Sequence, residues 1–329
     1  MSLWVLAAIA FSVTLSATPL VIRALSLRHL YDRPNERSMH VSEVPRGGGY
    51  ACIAGVAAAT LAAVVVGKPL PWPVVLGALL IGAVGAVDDR RALSPLPRLA
   101  AQAAVGAFLG AAVAGLIGAV LGAVTATVIV NVFNFMDGIN GIAALTVAVW
   151  GLSAVVVGAR YGALPVVMLG AIAGASAIGF LPWNAPTARI FLGDVGSYFL
   201  GMLIAGSLIA SHETEVPTYL LLAPLLLHIF DVFFTLMRRA LRRASLLSAH
   251  REHVYQRTLL ESGWPHVAVS GIVALLAAVT TFAFAVGAEG SKAWFLVAPF
   301  VISLYAAGPS VIRIYRARRS AYRFKEGAS

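Results

Sequence analysis

The chain has 329 residues, 60% of them hydrophobic and only 12% charged, with a mean hydropathy of +0.87. This excludes an ordinary water-soluble domain and predicts an integral membrane protein. The formal charge of +10 in such a chain reports orientation before it reports nucleic acid, so no nucleic-acid partner is expected. The one cysteine, Cys52, leaves no intrachain disulfide framework and no constraint on redox compartment.

A spanning helix needs about 20 apolar residues. Cutting the sequence at its charged and Pro/Gly-rich breaks predicts an all-α polytopic protein of about eleven spans, at 3–22, 49–66, 72–87, 99–115, 117–133, 141–158, 163–181, 197–211, 218–237, 266–286 and 293–312. The start, M-S-L-W, lacks the basic segment of a signal peptide and reads as a retained first helix. The charge-free run from Leu99 to Met136 is too long for one span and long enough for two, with its turn placed near Ala114-Gly115. No soluble domain, repeat or low-complexity segment stands out, so residues 1–329 read as a single integral membrane domain. Of the 24 lysines and arginines, all but Lys68, Arg160 and Lys292 fall in loops after odd-numbered spans or in the tail. The positive-inside rule then puts the N-terminus outside and the C-terminus in the cytoplasm. The aspartates Asp32, Asp88, Asp89, Asp137, Asp194 and Asp231 all map to the cytoplasmic face, whereas Glu213, Glu215 and Glu289 map outside.

Five polar stretches interrupt this pattern. In the first cytoplasmic loop, Arg37, His40 and Arg46 precede three glycines, whose amides suit phosphate oxygens as well as the basic side chains do. Positive-inside charge on a flexible loop is the plainer alternative. Next, V-D-D-R-R closes an apolar helix with Asp88 and Asp89. Two adjacent carboxylates there call for a metal, a cationic substrate or a proton-transfer role, or they simply pair with Arg90 and Arg91. The third stretch, N-V-F-N-F-M-D-G-I-N-G at 131–141, sets Asn131, Asn134 and Asp137 at i, i+3 and i+6, on one face if the helix continues. Its hard oxygen donors suit Mg²⁺, and the amides that follow suit anions, although an Asx-rich helix break is the simpler reading.

Fourth, N-A-P-T-A-R-I-F-L-G-D-V-G-S at 184–197 places Asp194 between glycines before a spanning helix, where an N-cap is the ordinary explanation. Phe191 offers a ring for base stacking or, equally, an interfacial aromatic. Last, H-R-E-H-V-Y-Q-R at 250–257 supplies His250, Arg251 and His253 to the longest cytoplasmic loop, as cationic or hydrogen-bonding groups for a diphosphate. Zinc is disfavoured there because no cysteine or third histidine lies nearby. The cluster from Arg238 to Arg243 reads as an orientation and headgroup signal.

Together, D-D at 88–89 and the stretches at 131–141, 184–197 and 250–256 resemble, in order and over nearly the whole chain, the polyprenyl-phosphate N-acetylhexosamine-1-phosphate transferase family (glycosyltransferase family 4). The H-R-E-H-V-Y-Q form is most similar to the bacterial branch that initiates O-antigen or other surface glycans at the inner membrane. The resemblance implies a UDP-N-acetylhexosamine donor, an undecaprenyl-phosphate acceptor in the bilayer, Mg²⁺ with Mn²⁺ as a substitute, and release of UMP. It implies Asn134 and Asp194 near the metal, Asp88 and Asp89 near the lipid phosphate or in proton removal, and Asp137 in the catalytic diphosphate site. Phe191, Asn184 and Asn140 are then expected on the nucleotide or sugar. His250, Arg251 and His253 are expected on the diphosphate, with Arg46 and Arg98 as further substrate-binding cations. Two positions depart from the family: Asn140 stands where many bacterial members carry aspartate, and Arg98 where lysine is common. A homodimer is compatible with the sequence. A multi-span secondary transporter is the alternative class, although transporters place buried acids near the bilayer midplane and these map to its inner edge.

Overall fold

The structure, a computed structural model, describes residues 2–34, 39–40, 42–68, 70–245 and 250–326. The helices are α1 (Leu3–Leu27), α2 (Gly49–Val65), α3 (Trp72–Arg91), α4 (Pro95–Met136), α5 (Ile142–Arg160), α6 (Leu164–Asn184), α7 (Gly193–Ala210), α8 (Thr218–Leu222), α9 (Leu226–Leu241), α10 (Val254–Ser262), α11 (His266–Glu289) and α12 (Val297–Glu326). Among the described residues, nine helical segments are long and apolar enough to cross a membrane, with α8 and α9 forming one of them.

The long α4 is two helices in one. Its backbone leaves helical geometry at Ala114 and at Gly115, where φ is 58°, a left-handed conformation that glycine adopts without strain. The chain turns back there, and the two arms approach closely. A Cβ on Gly110 would lie 1.9 Å from the carbonyl oxygen of Gly118, so only small residues permit this contact. Dividing α4 at this break and counting the 17-residue α2 gives the eleven apolar segments expected from hydropathy.

At the centre stands α7. Apart from Asp194, its residues from Gly193 to Ile209 are buried. Glycines let neighbouring helices close on its N-terminal end: a Cβ on Gly85 of α3 would meet the carbonyl oxygen of Asp194 at 2.2 Å, and one on Gly49 of α2 would meet Gly196 Cα at 2.1 Å. One apolar cluster runs through α1 to α7. A second joins Met136, Ile139 and Ile142 to α9, α10, α11 and α12. The α4–α5 loop, D-G-I-N-G at 137–141, sends Ile139 into the second cluster.

Three local features differ from the hydropathy reading. The first loop forms a small antiparallel pair, β1 (Tyr31–Asp32) with β2 (Val44–Pro45), too short to leave a periodic signal. Pro224 lies in a 3-10 turn, Ala223–Leu225, between α8 and α9, because it has no N–H for a continuous α-helix. The loop after α9 contains α10, whose Val254, Tyr255 and Leu259 are buried on one side and whose end is marked by Gly263 at φ 67°. Hydropathy misses it because an amphipathic nine-residue helix is neither long nor apolar enough to register as a span.

Candidate active site

Around the N-terminus of α7, Gly193 takes φ +75°, and a Cβ there would fall 2.8 Å from Asp89 Oδ2. This close approach lets Asp89, from the end of α3, act as the cap of α7. Its Oδ1 accepts from the Asp194 backbone N–H at 2.9 Å and its Oδ2 from that of Val195 at 3.0 Å, satisfying donors that a helix start leaves free. Arg46 closes the group, with Nε 2.8 Å from Asp89 Oδ1 and Nη2 2.9 Å from Asp194 Oδ2. Burial works against the guanidinium charge, but Asp194 and Asp89 outweigh it and raise Arg46 above its ordinary pKa. Phe191 fastens the same loops: its N–H donates to the Pro45 carbonyl, and its carbonyl accepts from Gly47 and Gly48.

The adjacent Asp88 faces elsewhere, since neighbouring helical residues point about 100° apart. Its Oδ2 accepts from Tyr198 Oη and Arg98 Nη1, both at 2.8 Å, and its Oδ1 from the Leu93 N–H, also at 2.8 Å. The simple alternative of pairing with Arg90 and Arg91 is therefore replaced by two separate clusters. Arg90 instead donates to Tyr50 Oη.

Two cavities meet beside these clusters. A polar one of about 390 Å³ is lined by Arg46, Asn134, Asp137, Asn140, Asn184, Phe191 and Asp194, and also by Asp32, His40, Gln256 and His266. A larger one of about 580 Å³ is lined mainly by apolar side chains, among them Leu99, Val128, Val132, Phe135, Val232 and Leu236, with Arg98, Asn131, His250 and His253 also on its wall. Gly138 and Gln256 belong to both walls. The two cavities therefore adjoin along the α4–α5 loop.

This division sorts the residues singled out in the sequence. Helix α4 ends at Met136, with Asp137 as its C-cap at φ −85° and ψ 49°, so the i, i+3, i+6 face is not continued. Asn134 and Asp137 reach the polar cavity. Asn131 instead donates to Gln102 Oε1 and to the Thr127 carbonyl on the side of the apolar cavity. Asn184 ties two loops together, accepting from the Gly141 N–H at 2.7 Å and donating to the Ile190 carbonyl at 3.0 Å. Asn140 Nδ2 donates to the Pro186 carbonyl at 3.1 Å. An aspartate there would set a carboxylate against that carbonyl, so asparagine suits this chain's loop.

His250 and His253 lie on the apolar cavity, not the polar one. Burial, then the nearby His253 and Arg239, push His250 down to about 4, leaving it a neutral hydrogen-bonding group near pH 7. Neither cavity wall, among the described residues, includes Arg251, Asp88 or Asp89. Arg37 lies outside the described residues.

Two groups on the polar cavity went unassigned in the sequence. His266, at the start of α11, accepts from the Asn140 N–H at 3.3 Å, and Gln256 joins the two walls. W-P-H before an apolar run is the signal that marks the first, and Gln256 lies inside the H-R-E-H-V-Y-Q stretch itself.

Among the described residues no three His, Cys, Asp or Glu side chains form a ready metal cage. Mg²⁺ rarely uses one: it is commonly held by one or two carboxylates together with substrate phosphates. Asp194, Asp137 and the Asn134 amide oxygen, which accepts from Ser197 Oγ at 2.7 Å, supply hard donors of that kind. Burial, then repulsion from Asp194, push the Asp137 carboxyl well above the usual carboxylate range, with Arg46 pulling against them. Such a pair fits a cation, which would relieve that repulsion.

The boundary between the cavities is tight. A Cβ on Gly138 would lie 2.1 Å from Tyr255 Oη, and Tyr255 is fully buried. Gly138→Ala is therefore expected to shift this loop and reduce turnover by about 10²-fold, the scale on which a misplacement of about 1 Å acts. A steady-state rate within twofold of the unmodified protein would show that the boundary tolerates a methyl group.

Fold and site together define a polytopic membrane protein in which a polar cavity carrying carboxylates and an arginine adjoins an apolar groove. The glycosyl transferase family 4 model matches residues 71–212. A probable undecaprenyl-phosphate N-acetylglucosaminyl 1-phosphate transferase of Bacillus subtilis is 29% identical over 269 residues, covering 76% of this chain and 75% of that protein. A decaprenyl-phosphate N-acetylglucosaminephosphotransferase of Mycobacterium leprae is 30% identical over 305 residues, covering 76% of each chain. An undecaprenyl-phosphate alpha-N-acetylglucosaminyl 1-phosphate transferase of Thermotoga maritima is 27% identical over 240 residues, covering 69% and 73%. The chain belongs to glycosyl transferase family 4, the polyprenyl-phosphate N-acetylhexosamine-1-phosphate transferases, and is a membrane-embedded sugar-1-phosphate transferase. The transporter alternative has no support among these relatives.

Proposed function

We propose that this protein transfers an N-acetylhexosamine-1-phosphate from a UDP-sugar to undecaprenyl phosphate, releasing UMP and forming the lipid-diphosphate sugar that starts a bacterial surface glycan such as O-antigen. The observation that carries this reading is the pair of adjoining cavities: a polar one that suits a nucleotide diphosphate and an apolar one that suits a polyprenyl chain. The site faces the cytoplasm in this reading, with the N-terminus outside and the chain in the inner membrane. Support comes from the basic loops, which lie at the same end as Arg46 and Asp194.

The donor diphosphate lies by Arg46, Asp137 and Asp194, with Phe191 and Asn140 toward the nucleotide or sugar. When bound, Mg²⁺ neutralises diphosphate charge, and Asn134, Asp137 and Asp194 are the residues that would hold it. The acceptor's tail occupies the apolar groove, and Arg98, held by Asp88, meets its phosphate. An acceptor phosphate oxygen forms a new bond to the β-phosphorus as the bond from that phosphorus to the UMP oxygen breaks. The three hydrogen bonds onto Asp88 support a positioning role for that residue over a covalent phospho-aspartate step. Retention of configuration at a chirally labelled β-phosphorus would overturn the direct transfer.

The reaction is tested with purified protein, Mg²⁺, undecaprenyl phosphate and a panel of UDP-N-acetylhexosamines. UMP release that requires the lipid is expected with one or more donors. No UMP with any of them would defeat the proposal, and the panel identifies the sugar.

A further inference from the structure

Asp231 stands alone as an acid in the apolar run L-H-I-F-D-V-F-F of α9, and it is fully buried. An isolated charge in that setting needs partners, and five donors converge on it. Oδ1 accepts from His253 Nδ1 at 3.0 Å, the Val254 N–H at 2.9 Å and Thr235 Oγ1 at 3.1 Å. Oδ2 accepts from Tyr305 Oη at 2.7 Å and the Tyr255 N–H at 3.2 Å. One carboxylate thus caps α10, anchors α12 and orients a histidine ring.

His253 is 4% exposed, and its ring lines the apolar groove. With Nδ1–H turned inward onto the carboxylate, Nε2 is the other nitrogen of a ring that lines the groove. A hydrogen bond between Nε2 and a phosphate oxygen is charge-assisted because the phosphate is ionised. Arg98 lines the same groove and supplies a cation beside the ring.

We propose that Asp231 is a positioning residue for acceptor recognition: it fixes His253 so that Nε2 meets the phosphate of the polyprenyl acceptor. This rests on the reaction proposed above, but its test separates the two. If wild-type protein releases no UMP from any donor, the reaction fails whatever Asp231 does. In active protein, Asp231→Asn is expected to raise KM for undecaprenyl phosphate about tenfold, a common scale for losing a histidine's supporting partner, while KM for the UDP-sugar stays within twofold. In a His253→Gln background the same change should have no further effect on acceptor KM, because residues acting as a unit are not additive. Tyr305→Phe, which removes a donor to the other oxygen, should lower the melting temperature and leave acceptor KM alone. Equal changes in both KM values, a fall in kcat alone, or full additivity with His253→Gln would assign Asp231 a purely structural role.

Should Asp231→Asn not fold, the wild-type protein decides. In [¹⁵N]histidine NMR spectra, the His253 Nε2 signal, identified by its loss in His253→Gln, is expected to move on adding undecaprenyl phosphate and to stay put with undecaprenol. A signal unmoved by the phosphate lipid overturns the proposal.

Discussion

Asp194→Asn is expected to lower UMP release by about 10³-fold while leaving the melting temperature close to that of the unmodified protein. The size of the effect follows from what the side chain faces. Asp194 is the acid that both lines the polar cavity and pairs with Arg46, so a neutral amide there removes charge from the place proposed for a metal-bound diphosphate. Losing one preorganised electrostatic group at a reacting centre costs about 10²- to 10³-fold, and a metal carboxylate belongs at the upper end of that range. Stability is spared because Asp89, not the Asp194 side chain, caps α7 through backbone amides. Single-turnover UMP release and thermal melting in detergent check the two halves separately. Wild-type turnover would remove Asp194 from the diphosphate site.

Asp89→Ala should lose both activity and stability. Its carboxylate accepts two amides at the start of a buried helix and one bond from Arg46. Truncation leaves a half-buried guanidinium with one carboxylate fewer and two helix-terminal donors unsatisfied. Breaking a fully buried pair costs about 3–5 kcal/mol; solvent at Arg46 makes this pair's share smaller, and the unmet amides add to the cost. The expected result is a clear drop in melting temperature and in the yield of monodisperse protein, with turnover lost in whatever folds. Asp89→Asn should fall between, since its amide oxygen accepts as before while its nitrogen cannot. An Asp89→Ala protein that melts with the wild type would show that α7 is capped in another way. The contrast with Asp194 is informative because the two acids share Arg46 yet do different work.

Much of this protein is local in origin and so could be read along the chain. Hydropathy located the apolar segments, and Ala114-Gly115 marked the hairpin inside a charge-free run because a glycine in the left-handed region is a local property. The stretches around Asp137, Asp194 and His253 likewise announced themselves as polar clusters at the ends of apolar helices. Helix α10 and the β1–β2 pair escaped notice, being too short and too mixed in character to shape a hydropathy window.

What only the tertiary structure decided is which neighbour each polar group meets. Asp88 and Asp89 are adjacent in the chain, but helical rotation sends one to Arg98 and Tyr198 and the other to Arg46 and the start of α7. Asn131 and Asn134 are one turn apart, yet they face different cavities because α4 runs between them. His253 depends on Asp231, 22 positions earlier, a pairing that no motif spacing encodes. By itself the sequence determined the number and kind of segments and the types of group at their ends, since hydrophobicity and backbone preference act over a few residues. Partnership depends on helix rotation and on close approach at glycines such as Gly49 and Gly85, and these are settled only when distant segments pack.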